Sequence, residues 1–115
     1  MSLDVWLYMD IDTGGKELKQ IELFEANITH NLTGMADAAG IYTALWHPED
    51  MGAKYAGDIV GVIEKGLEKM KSDPEKFEAY NAHNGWGLYE HFVPWVEKYL
   101  EACKEHPRAL IGVSI

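Results

Sequence analysis

The sequence predicts an α+β domain built as a two-layer sandwich. An N-terminal β-hairpin and a C-terminal strand form a small antiparallel or mixed sheet, packed on three or four helices. Three observations carry this prediction. Residues 4–12 alternate apolar and polar side chains with a period of two. Residues 59–70 and 89–103 carry apolar side chains at helical spacing. A short apolar run, 110–115, follows His106-Pro107, a pair that stops a helix.

The elements follow in order. In the first strand Val5, Leu7, Met9 and Ile11 share one face, and Asp4, Trp6, Tyr8, Asp10 and Asp12 share the other. Thr13-Gly14-Gly15-Lys16 is a turn signal, and residues 19–28 form the return strand. A short helix spans roughly Asn31 to Ala39, with Gly40 as its stop and a further helical turn over Ile41 to Leu45. Pro48, Glu49 and Asp50 look like the start of a long helix reaching about Met70. Its glycines, Gly52, Gly57, Gly61 and Gly66, either break it near Gly52 or let another element pack closely. Asp73-Pro74-Glu75 ends that helix and caps a short one to Tyr80. The last helix places Tyr89, Phe92, Val93, Val96, Leu100 and Cys103 on its inner stripe, with Pro94 in the first turn or at a kink.

The chain of 115 residues is one domain, 1–115. Apolar residues make up 47% and charged residues 25%, a globular composition. The net charge of −9 argues against a nucleic acid polymer as partner, because phosphate backbones require a basic surface. The first 40 residues hold seven acids and two bases, so the hairpin is the acidic end. That charge either serves solubility or meets a basic partner. A lone cysteine, Cys103, excludes an internal disulfide and fits a reducing cytoplasm. No stretch reads as a signal peptide or a membrane span.

Three segments carry the residues able to do chemistry: Asn27-Ile28-Thr29-His30-Asn31, Trp46-His47-Pro48-Glu49, and His83-Asn84-Gly85-Trp86-Gly87. Each puts a histidine near a helix start, where free backbone N–H groups and the helix dipole favour a polar or anionic ligand. Convergence of the three would build one pocket from Asn27, His30, Asn31, Trp46, His47, His83, Asn84 and Trp86. Each has a plainer reading. The asparagines cap helices, Trp46 is buried for its area beside a surface His47, and Trp86 anchors a turn. Glu90 and His91 are adjacent on a helix and do not face each other. No metal-ligand motif, nucleophile motif or phosphate loop is present, so no metal site, cofactor or catalytic residue is assigned. Trp6 and Tyr8 form an outer sheet face that a homodimer would cover, unless helices of the same chain do so.

The runs Asn27-Ile-Thr-His-Asn-Leu32, Asn84-Gly-Trp-Gly87 and Glu90-His-Phe-Val-Pro94 resemble small uncharacterised proteins encoded by bacteriophages and prophages. The resemblance implies a viral product in the cytoplasm of a bacterial host cell, of a kind that often interferes with host defence. It implies no activity and no catalytic residue. The leading expectation is a non-enzymatic module binding a small polar or anionic, nucleotide-like ligand. A histidine-dependent hydrolase using the same pocket is the runner-up. An acidic protein-interaction module acting through the hairpin is the third.

Overall fold

The computed structural model describes residues 2–115. Strand β1 (Ser2–Ile11) is the middle of a three-stranded sheet, between β2 (Lys19–Thr29) and β3 (Leu110–Ser114). Both neighbours run antiparallel to it, so the sheet is antiparallel throughout. Among the described residues five helices complete the α+β fold, more than the three or four expected: α1 (Thr33–Ala38), α2 (Tyr42–Trp46), α3 (Gly57–Ser72), α4 (Pro74–Glu78) and α5 (Tyr89–Glu105). Among the described residues no helix is long and apolar enough to cross a membrane.

The alternation in β1 places Leu3, Val5 and Leu7 in the core with no exposed surface. The same face continues through Met9 and Ile11, but these are exposed because the hairpin runs past the helical layer. The molecule is accordingly long, 53 × 27 × 23 Å. In β2 the apolar residues Ile21 and Phe24 are three apart, which breaks the period of two. The register absorbs this: Leu7 pairs with Phe24 and Tyr8 with Glu22, leaving Leu23 as the extra residue of a bulge.

The helix that starts at Pro48 breaks near Gly52, one of the two roles its glycines offered, and is two elements. Pro48–Met51 is a single 3₁₀ turn, and Gly52 ends it at φ +73°. The chain restarts at α3, where the Asp58 carboxylate accepts the Lys54 and Tyr55 N–H groups at 3.0 and 2.9 Å. Gly66 does the other job foreseen for a glycine. A Cβ there would collide with Ile41, so α3 reaches the Ala39–Ile41 corner only without a side chain. Pro94 is not in the first turn but inside the helix. It is the sixth residue of α5, and Glu90 loses the N–H its carbonyl would accept.

The outer sheet face is not bare. The Trp6 indole lies directly over Gly112 of β3, where any Cβ would collide with the ring, and its own chain half-buries it. Gly112 thus seats the ring within its own chain, while Trp6 and Tyr8 stay half-buried.

Candidate functional site

The first of the three segments forms the corner after β2. Asn27 ends that strand's outer face opposite Asp4, and its amide donates to Asp4 Oδ1 at 2.6 Å and to Ser2 Oγ at 3.0 Å. Thr29 accepts the Asn31 N–H at 3.3 Å and so caps a 3₁₀ turn, His30–Leu32. Thr29, then, takes the capping role, and the Asn31 side chain is released for another partner. It donates to the Trp86 carbonyl at 2.6 Å.

That bond joins the corner to the loop before α5. The loop turns on itself: Asn84 Oδ1 accepts the Trp86 N–H at 3.0 Å, and the Ala82 N–H reaches the Gly87 carbonyl at 3.0 Å. Asn81 Oδ1 accepts the Tyr89 N–H at 2.7 Å and anchors the start of α5. Gly85 and Gly87 sit at φ +77° and +122°, and a Cβ on Gly87 would stand 2.9 Å from the Asn31 Cβ. Both positions therefore require glycine, the second to let the loop meet the corner.

Between corner and loop lies an open concavity of about 810 Å³. Five of the eight expected residues line it: Asn27, His30, Asn31, Asn84 and Trp86. His91, on the first turn of α5, also lines it. Adjacent on the helix, His91 and Glu90 do not face each other; His91 faces the loop. One turn of helix after Leu88 places it there, a spacing visible in the sequence. No lining residue is Asp, Glu, Lys or Arg, although the chain carries a net charge of −9. Trp86 is 71% exposed at the rim. The fold braces the site from behind, where Trp95 Nε1 of α5 donates to the Asn27 carbonyl at 3.0 Å.

Trp46, His47 and His83 do not line this concavity, so the three segments do not all converge. Trp46 is buried in the core, as a tryptophan placed for its area would be, and stacks on Tyr42 at 5.4 Å between ring centroids. It does touch the site from inside, meeting the His30 ring edge-on at 6.1 Å. His30 Nε2 and Trp46 Nε1 are both buried without a hydrogen-bond partner, an arrangement that leaves polar capacity unused at the base of the corner. His47 lies elsewhere, with Nδ1 3.4 Å from Glu49 Oε1. With Asp50 it offers ligand atoms within 4.8 Å of one another, on a turn whose carboxylates are solvated. His83 is exposed.

No family model matches the chain, and neither does any curated protein or solved structure.

Proposed function

We propose that this protein is a non-enzymatic binding module. Its ligand is a small polar or anionic molecule with a flat ring, nucleotide-like in class, held in the cleft between the His30 corner and the Trp86 loop. The supporting observation is the composition of the lining. In a strongly acidic protein, the cleft presents two imidazoles, three side-chain amides and no carboxylate. An anion approaching most other faces meets acids, whereas here the lining offers imidazoles and the amides of Asn31 and Asn84 and no carboxylate. The exposed Trp86 indole offers the stacking face a flat ring needs. For a phage product, holding a host nucleotide unchanged would withdraw it from the host's use.

His30 and His91 in one cleft also favour the second reading, a histidine-dependent hydrolase. One experiment separates the two. Titration of nucleoside monophosphates is followed by tryptophan fluorescence in the wild-type chain and in Trp86→Ala, and the recovered ligand is then examined for chemical change. Saturable quenching in the wild type alone, with the ligand recovered intact, supports the binding module. A product that disappears in His30→Ala or His91→Ala makes the protein a hydrolase. No saturation with any probe refutes both.

A further inference from the structure

A second concavity, of about 890 Å³, lies against the free edge of β3, away from the His30 cleft. On one side β3 pairs with β1. On the other it is met only at its start, where Tyr55 bridges Leu110 and the Ile111 N–H donates to the Lys54 carbonyl at 3.3 Å. Backbone groups alternate along a strand, so the Val113 N–H and C=O point the same way as those of Ile111. Beyond Lys54 no strand meets them among the described residues. An unpaired edge with a groove beside it is where an extended peptide adds as a strand.

The groove's chemistry chooses the peptide. Trp6 and Tyr8 supply aromatic surface, and Asp10 and Glu49 supply carboxylates. Among the described residues neither carboxylate is paired with a lysine or arginine, and Glu49 meets the His47 ring. The one cation in the lining, Lys54, sits over the Tyr55 ring at 5.4 Å. A second copy of this chain would bring the same carboxylates and a further net charge of −9 to the edge, so charge favours an unlike, basic occupant.

We infer that the free edge of β3 is a docking site for an extended peptide segment. The segment pairs its backbone with Val113 and lays a lysine or arginine against Tyr8, Asp10 and Glu49. This site is separate from the proposed ligand cleft and stands or falls without it.

The probe is a blocked pentapeptide of alternating valine and lysine, titrated into the full chain and followed in amide nitrogen–proton spectra. The expected result is saturable shifts confined to Gly112–Ile115, residues 48–54 and residues 6–10, with slowed exchange of the Val113 N–H. Glutamine in place of lysine, or Asp10→Asn with Glu49→Gln, weakens binding about fivefold per charge pair, the upper range for one exposed ion pair. Methylating the peptide nitrogen that faces Val113 abolishes the shifts. The inference is overturned if the glutamine peptide binds equally well or if shifts fall elsewhere or are absent. It is also overturned if the chain alone sediments as a dimer with Val113 already protected.

Discussion

The side-chain amide of Asn31 donates to the main-chain carbonyl of Trp86 across 2.6 Å, joining segments 55 residues apart. Gly87 permits that approach, because a Cβ at this position would stand 2.9 Å from the Asn31 Cβ. The two residues together set the width of the cleft.

Gly87→Ala should therefore open the cleft. It forces a side chain into φ +122° and against Asn31, at a cost of roughly 1–3 kcal/mol. Asn31→Ala removes one hydrogen bond and costs less, about 0.5–1.5 kcal/mol. Urea unfolding measures both. Faster hydrogen exchange at Trp86 and Gly87 in either variant locates the effect. Unchanged exchange there would show that the contact does not hold the loop.

The inner stripe of the long helices predicts stability. Phe92 is fully buried and Leu67 nearly so, and each truncation to alanine should cost about 2–5 kcal/mol through lost burial and a cavity. A loss under half a kcal/mol at either position, by the same unfolding measurement, contradicts the packing described.

Much of this was legible in the sequence because periodicity reports burial directly. The alternation of β1 and the stripe from Phe92 to Cys103 locate the core faces correctly. The sequence does not say where a face outruns its cover, so Met9 and Ile11 belong to the inner face of β1 yet reach solvent. Nor does it say which polar side chains are spent on their neighbours. Thr29 caps the turn and Asp4 takes the Asn27 amide, contacts set by strand register and turn geometry. His47 and Trp46 share a motif with the other two segments, but α2 carries them behind the corner, and His91 arrives instead from α5. Convergence is a property of helix packing and is invisible to a motif.

Cys103 tests the core in a different way. Burial pushes its thiol up to about 12, so the nucleophilic thiolate is scarce in the folded chain near neutral pH. A thiol-specific disulfide reagent should leave the native protein unmodified and react fully after unfolding in urea. Rapid modification of the native chain would place Cys103 outside the core.

The Asp58 carboxylate accepts the Tyr55 and Lys54 N–H groups, which hold its pKa below the ordinary 3.8. The folded value is depressed. The contribution to stability is thus fully present above 3.8 and is lost as pH falls through the lower folded value. Asp58→Asn should destabilise the chain near neutral pH and differ less from wild type in strong acid. A difference that persists or grows in acid, by urea unfolding at both pH values, contradicts a stabilising role for these two hydrogen bonds.

Ligand binding at the His30–Trp86 cleft is the central claim, and mapping a bound nucleoside monophosphate by amide nitrogen–proton spectra tests it most directly. The account predicts saturable shifts concentrated on residues 27–32 and 84–91. Trp86→Ala should weaken binding about tenfold, the worth of one base–aromatic stack. Shifts that fall outside these two segments, that survive Trp86→Ala unchanged, or that never appear at millimolar nucleotide would contradict it.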